Sequence, residues 1–450
     1  MDRQKFIDAL FARAKAEGFE AYEAFYSSGE QFNAEVFGGE IVDYSVSESG
    51  GLGFRALING KMGYASTEVL DEDAIDLLID GVKNGAAVIE NDDRQFIFEG
   101  SSEYASVDNY SESLAAVSAK DKIQFALDLE KITLSRDERI QRVGGCAVLT
   151  SSSECAIYNS KGLNVSHKSN LAGGYVVPIA QEGERVNTGM EICVKQEFSD
   201  LSAEAIANKA VKQALDGLNA IQPESRTCAI AFDSGAATSM LSVFSSIFSA
   251  DAAQKGLSLL KGREGEKIAG DAVTIVDDPH LAHSGASTPF DGEGVTTYKK
   301  NIVENGVLTT LLHNLKTAAK QGVATTANAS RGSYAATVGV APTNFYIVPS
   351  ETTQDELLAA MNDGILITEV SGLHAGANQI SGDFSLLAKG FLIENGKKGA
   401  AVEQITVAGN FFAMLSDVVA VASDLDFGMP GSSMFGSPTL WIKSLSVAGK

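Results

Sequence analysis

Three Asn-Gly pairs, Asn59-Gly60, Asn305-Gly306 and Asn395-Gly396, each stand between two runs of β-forming residues. Asn-Gly adopts the positive φ angles of a type I′ turn at little steric cost, so each pair closes a two-residue antiparallel hairpin. Three such closures commit both ends of the chain to antiparallel sheet. With 44 glycines against 8 prolines in 450 residues, the composition favours tight turns over stiff linkers.

Helical patterns frame these strands. Phe6, Ile7, Leu10, Phe11 and Ala14 recur at helical spacing. Strand-like runs follow through the first Asn-Gly pair. The segment DEDAIDLLIDGVKNGAAVIE then returns to helix, with Ile75, Leu78, Ile79 and Val82 on one face and acids in its first turn. Residues of about 91–117 are acidic and Ser-rich with weak periodicity, and read as a crossing segment. The order then recurs: a helix carrying Ile123, Ala126 and Leu127, β-runs over 143–194 with turns at 159–162 and 182–184, and a helix over 202–218. After NAIQPESRT the chain is β-dominated, with helices expected at 236–248, 313–321, 353–361 and 411–419. The fold class expected is α+β. An N-terminal α/β region holds two helix–strands–helix units, and a large, mostly antiparallel C-terminal sheet or barrel carries helices. The divisions fall at 1–115, 116–222 and 223–450, in keeping with ~150 residues per domain.

Charge and cysteine usage narrow the function. Lys and Arg total 35 against 58 Asp and Glu, a formal charge of −23 that repels phosphate backbones, so direct nucleic-acid binding is not expected. Cys146, Cys155, Cys193 and Cys228 include no C-x-x-C pair, as expected for reduced thiols in a cytoplasm. The N-terminal stretch lacks the apolar region of a signal peptide, and no apolar run approaches the ~18 residues of a membrane span. A cytoplasmic protein with no membrane partner is expected.

A catalytic set does not assemble from the residues alone. His280 and His283, beside Asp277 and Asp278 in VDDPHLAHSG, have the composition of a metal site or of an ordinary polar loop. Pro279 and Gly285 argue against the helix that would aim both imidazoles one way. Ser258 and Lys261 match S-x-x-K without its companion motifs. Asp291 and Glu293 in PFDGEGV would share one face of a strand, suited to acid–base work or to turn formation. H-E-x-x-H, G-x-S-x-G, P-loop and G-x-G-x-x-G motifs give no usable match.

The stretch FDGEGV-x₇-IVENGVLTTLLHNLKTAAKQG-x₃-TANASR, with PTNFYIVPS, SGDFSLLAKGFLIENG, VEQITVAGN and the terminal SPTLWIKSLSVAG, resembles the TldD/PmbA family. GGEIVDYSVSESGGLGFRALINGKMGYAST extends the resemblance toward the N-terminus. That family carries the labels metallopeptidase and modulator of DNA gyrase, and its two branches work as a heterodimer. In the TldD branch a helix bearing H-E-x-x-x-H, with a late cysteine, holds zinc. Here the corresponding helix is SGAATSMLSVFSSIFSADAAQKG, the ligand positions fall near Ser242, Val243 and Ile247, and the late loop FGMPGSSMFGSP has no cysteine. The resemblance therefore implies the PmbA/TldE branch: a non-catalytic subunit with no cofactor, zinc residing only in a TldD-type partner, and an extended peptide as substrate. It nominates Asp291, Glu293, Asn328, Arg331, Asn344, Asp383 and Asn410 as groove residues. Where relatives often have Gly before the Asn of NASR, this chain has Ala327. Two other readings stay open: a homodimeric peptide-binding or scaffolding protein, and an independent hydrolase using His280 and His283. With no partner present, a homodimer through the β-rich C-terminal half is expected.

Overall fold

The structure is a computed structural model that describes residues 1–90 and 93–450. Helix α1 (Arg3–Ala16) begins where the Asp2 carboxylate accepts from the Lys5 N–H, and it buries Phe6, Ile7, Leu10 and Ala14. Strands β1 (Ala21–Phe37), β2 (Glu40–Ile58) and β3 (Lys61–Thr67) form a meander whose second turn is Asn59-Gly60, with φ of 51° and 74°. Helix α2 (Glu72–Ala87), capped by Asp71, closes the same core with Leu78, Ile79 and Val82. Residues 91 and 92, at the start of the segment read as a crossing, lie outside the described residues. Beyond them, 93–117 is irregular apart from the single turn α3 (Glu112–Ala115).

The order then repeats with α4 (Ala119–Ser135), β4 (Ile140–Asn159), β5 (Asn164–Glu182), β6 (Arg185–Thr188), β7 (Glu191–Lys195) and α5 (Ala203–Asp216). The two units share one sheet. β4 pairs antiparallel with β1, giving the order β3-β2-β1-β4-β5-β6, with β7 also on β5.

The C-terminal half opens with β8 (Arg226–Phe232), α6 (Ser234–Phe244) and α7 (Ala250–Gln254), then β9 (Ile275–Asp277), β10 (Lys300–Glu304), β11 (Val307–Leu308) and α8 (Leu315–Gln321). It continues through β12 (Ala329–Ser330), β13 (Gly339–Val340), β14 (Asn344–Ile347), α9 (Gln354–Met361), β15 (Gly364–Ser371) and α10 (Leu373–Gly376). Last come β16 (Asp383–Glu394), β17 (Lys397–Asn410), α11 (Phe411–Ser416), β18 (Val418–Val421), β19 (Asp426–Phe427), β20 (Met434–Ser437) and β21 (Leu440–Ala448). Strands β17-β16-β15-β8-β21 close on themselves through a β17–β21 ladder, so five strands make a barrel. A second sheet runs β11-β10-β9-β14-β20-β19. Phe244 of α6 stacks on Phe411 at 4.4 Å in the core that joins barrel and sheet. The α+β class and the mostly antiparallel, barrel-like C-terminal half match the expectation. Asn305-Gly306 and Asn395-Gly396 close β10–β11 and β16–β17 with positive φ at all four residues.

One helix is shorter than its sequence pattern suggests. It ends at Ser416 rather than near 419, and Val418–Val421 is strand β18 on β21. The β-branched valines are stiff at χ1 and fit a pleated surface, and the β21 edge beside them takes up their backbone groups. The helix expected over 236–248 starts at Ser234 behind an Asp233 cap and tightens into a 3₁₀ turn at Ser245–Phe248.

The two halves meet closely. Gly53 of β2 lies so near the 330s loop that a Cβ there would stand 2.0 Å from the Tyr334 carbonyl oxygen. The irregular 93–117 segment laces the joint: Tyr104 donates to the Gly294 carbonyl at 2.8 Å, and Asn109 Nδ2 donates to the Ser287 carbonyl at 2.9 Å. Backbone has no rotamer with which to yield, so Gly53→Ala should lower stability by about 1–3 kcal/mol in urea unfolding. The same change at the exposed turn residue Gly332, where nothing lies within 4 Å, serves as the control.

Candidate functional site

A cleft of about 300 Å³ opens where the N-terminal sheet faces the C-terminal loops. One wall is a row across three strands, because Ser27 of β1 is in register with Cys155 of β4, and Cys155 with His167 of β5. Ser153 and Ser169 extend this wall and share a hydrogen bond of 2.9 Å. The opposite wall comes from the loops around Ser287, Asp291, Asn328, Arg331 and Thr343, with Gly431 and Ser432 at one end.

Beneath the cleft lies a buried charge cluster. Arg55 Nε donates to Glu23 at 2.8 Å, and Arg55 Nη1 reaches Glu293 at 3.4 Å. Arg331 pairs with the same Glu23 oxygen and lies 4.7 Å over the Phe25 ring. All four side chains are almost wholly inaccessible to water. Burial alone would drive the Glu23 pKa up, but Arg55 and Arg331 outweigh it and hold the carboxyl below its ordinary value. Glu293 also accepts from the Leu315 N–H at the start of α8, at 2.9 Å. Three buried atoms of the cluster lack a partner among the described residues: Glu23 Oε2, Arg55 Nη2 and Arg331 Nε.

Asp291 sits beside this cluster. Its Oδ1 accepts from the Glu293 and Val295 N–H groups, and its Oδ2 from Ala329 N–H. Burial, then the nearby Glu293 charge, push its pKa up to about 7 against those three donors. Asn328 donates to Asp277 at 2.7 Å and accepts from Lys300 Nζ at 3.2 Å, completing a second buried ion pair. Asn344 donates to the Asp278 carbonyl and to Ser287 Oγ, which holds the loop that forms the cleft wall.

Five of the seven residues nominated from sequence therefore converge here. Asp291, Asn328 and Arg331 line the cleft, while Glu293 and Asn344 brace it from behind. Asp383 and Asn410 do not join them. They hydrogen-bond each other at 2.9 Å across the β16–β17 ladder, beside a separate depression formed by residues 373–385. Ala327 reaches the cleft in the left-handed region, φ 54°, the conformation that glycine accepts most readily.

Sequence reasoning missed Glu23, Arg55, Cys155 and His167. The first two look like ordinary surface charges, and their burial follows only from the docking of the halves. The last two could have been found, because folding the chain about the 159–162 turn places residue 155 opposite 167. The Cys155 thiol is pushed up to about 11, mainly by burial, so it stays protonated and is not an activated nucleophile. Burial also lowers the His167 pKa, against an opposing contribution from the Ser287 backbone, and its buried Nε2 has no hydrogen-bond partner among the described residues.

His280 and His283 do not converge. His280 Nε2 meets Thr297 Oγ1 and His283 Nδ1 meets Gln196 Oε1, each at 3.0 Å. Ser258 donates its hydroxyl to the Ile247 carbonyl. Helix α6 carries no His, Cys, Asp or Glu, and Ile247 in the turn after it is buried in the core. Among the described residues no three potential ligands stand together. The donor set around α6, among the described residues, does not fit zinc.

Models of the three domains described as PmbA/TldA metallopeptidase domain 1, central domain and C-terminal domain match residues 22–86, 112–218 and 225–449. The chain belongs to the PmbA/TldD family. A Haemophilus influenzae protein named metalloprotease PmbA homolog is 28% identical over 86% of this PmbA/TldD-family chain and 84% of its own length. A Thermotoga maritima structure, described as a candidate modulator of DNA gyrase, is 32% identical with a TM-score of 0.91, covering 99% of this chain and 100% of that one. The Thermococcus kodakarensis TldE structure shares the fold with a TM-score of 0.89 at 21% identity, over 99% and 100% of the two chains.

Removing one member of the buried cluster strands the others. Arg55→Met should cost about 3–5 kcal/mol in urea unfolding. Glu23→Met combined with Arg55→Met should cost less than the sum of the single changes, as a coupled pair does in a double-mutant cycle. The raised Asp291 pKa makes a second prediction. Its folded value exceeds its unfolded one, so the native state holds the proton longer and stability falls as pH rises from about 4 to about 7. The slope from one such group is at most about 1.4 kcal/mol per pH unit. Asp291→Asn should flatten the slope, measured by urea unfolding across that range.

Proposed function

We propose that this chain is the metal-free, PmbA/TldE-type subunit of a two-subunit cytoplasmic peptidase, and that its cleft holds an extended peptide for a TldD-type partner to cut. The observation that carries this reading is a cleft with serine hydroxyls along one wall and no activated group. Its wall offers the hydroxyls of Ser27, Ser153 and Ser169 along aligned strands, which suits a peptide's alternating donors and acceptors. The chemistry for cutting is absent from the same surface: the Cys155 thiol is held protonated, and Asp291 spends both oxygens on backbone N–H groups. Water attack at neutral pH needs a metal or a general base, and a nucleophile needs an activating partner. A Haemophilus influenzae protein named metalloprotease TldD homolog is 29% identical over 56% of this chain, which supports a partner built on the same plan.

In this reading the subunit contributes position. Holding a reactant in the attacking geometry lowers a barrier by several kcal/mol, so a chemically inert subunit still changes the rate. Asp383 and Asn410 have no part in the cleft and hold a strand end. The separate partners of His280 and His283 remove support from the independent-hydrolase reading.

A peptidase assay on each subunit alone and on the mixture tests this. The chain alone should neither cleave peptides nor carry stoichiometric zinc by elemental analysis, and adding it should accelerate a TldD-type subunit. Metal-dependent turnover by this chain alone would refute the proposal. An unchanged partner rate would favour the homodimeric scaffold instead.

A further inference from the structure

The expectation of association through the C-terminal half rested on open strand edges, and the fold removes most of them. The five-stranded barrel closes, and the edge strands β11, β18 and β19 are two to four residues long. A long open edge lies instead in the N-terminal sheet. β3 covers β2 only from Leu52 onward, and every residue from Glu40 to Ser49 is exposed.

This edge continues a core. Val46, Tyr44 and Ile41 lie opposite Phe32, Ala34 and Val36 of β1, so their side chains share that face. The three β1 residues are buried with Leu129, Val148 and Ile206, yet Val46 and Tyr44 are each 51% exposed and Ile41 47%. Tyr44 touches Phe32 edge-on at 5.5 Å and presents its other side to water. An uncovered apolar row beside unpaired backbone groups is a surface that proteins ordinarily shield. The hairpin is also held still, because Glu130 of α4 accepts from both Gly38 N–H and Gly39 N–H at its tip, each at 2.8 Å.

Charge selects the occupant. Glu30 lies directly opposite Glu48, and Glu35 opposite Asp43; Asn33 donates to Asp43 at 3.1 Å and Lys122 acts on Glu30 from further away, and none of the four acids makes an ion pair among the described residues. Like charges in facing positions are destabilising. From Ala21 to Phe54 the chain has no Lys or Arg at all. A second copy paired antiparallel along this edge would bring a second set of acids and no cation, so self-pairing compounds the repulsion.

We propose that β2 over residues 40–49 is a docking edge for a strand of a different protein chain, one that alternates apolar and cationic residues. The apolar side chains would cover Ile41, Tyr44 and Val46 on one face, and the cations, pointing to the other face, would neutralise Glu40 and Asp43. The inference stands independently of the peptidase reading.

The probe is an end-blocked ten-residue peptide of alternating Val and Lys, with alternating Val and Glu as its counterpart. Binding is followed by fluorescence anisotropy at ~0.15 M salt, where surface charge is largely screened beyond about 8 Å, and by amide hydrogen exchange. The Val-Lys peptide should bind saturably and slow exchange within 40–49, and the Val-Glu peptide should not. Glu40→Lys with Asp43→Lys should weaken the first at least tenfold and admit the second, and Tyr44→Ser should weaken the first. Equal affinity for both peptides, slowed exchange in the cleft instead, or no saturable binding would overturn the proposal. So would a wild-type dimer whose 40–49 amides are already protected without peptide, since the occupant would then be a second copy. The exchange map uses the unaltered chain, so the test survives a variant that fails to fold.

Discussion

Glu23 and Arg55 sit on neighbouring strands of the N-terminal sheet, Glu293 and Arg331 on loops of the other half, and none of the four carries its charge to water. Taking an ion out of water costs several kcal/mol even after relaxation, so the halves can join only in the arrangement that brings these groups together. The neighbouring features serve that arrangement. Gly53 lets the β2 backbone approach the 330s loop, Phe25 offers its ring face to Arg331, and the first N–H of α8 takes up the second oxygen of Glu293. The cleft is the space this joint leaves above itself.

The hairpins were readable from sequence because turn chemistry is local: Asn59, Asn305 and Asn395 each adopt φ near 50° ahead of a glycine. The amphipathic helices were readable for the same reason, and Asn314 with Thr317 even forms a reciprocal cap at the start of α8. What escaped was set by distant partners. The β1–β4 ladder that merges two apparent units into one sheet joins residues well over a hundred positions apart. Val418–Val421 became strand because β21 lay alongside it. Asp291, Glu293, Asn328, Arg331 and Asn344 could be nominated only through resemblance, and nothing local marks Glu23 or Arg55 as buried. Asp383 and Asn410 came with the same motifs but serve a strand end.

The same joint separates two kinds of polar group. Asp291 on the cleft lining, and Glu293 and Asn344 behind it, have their hydrogen bonds filled by backbone and neighbours and so maintain shape. Those on the cleft wall, the hydroxyls of Ser27, Ser153 and Ser169, retain capacity for a visitor. A relative with metal ligands on the helix equivalent to α6 could share nearly all of this framework, because α6 packs through Ala236, Ala237, Met240, Leu241 and Phe244 on its inward face.

The distribution of the four buried charges also suits the order in which a ribosome makes them. The strands carrying Glu23 and Arg55 are complete well before Glu293 and Arg331 are synthesised, an interval of many seconds at ~5–20 residues per second. During that interval Glu23 and Arg55 can already neutralise each other across the β1–β2 ladder. The later half likewise brings one acid and one base. The two charges of each half are opposite in sign, so the union of these four groups transfers no net charge into the interior.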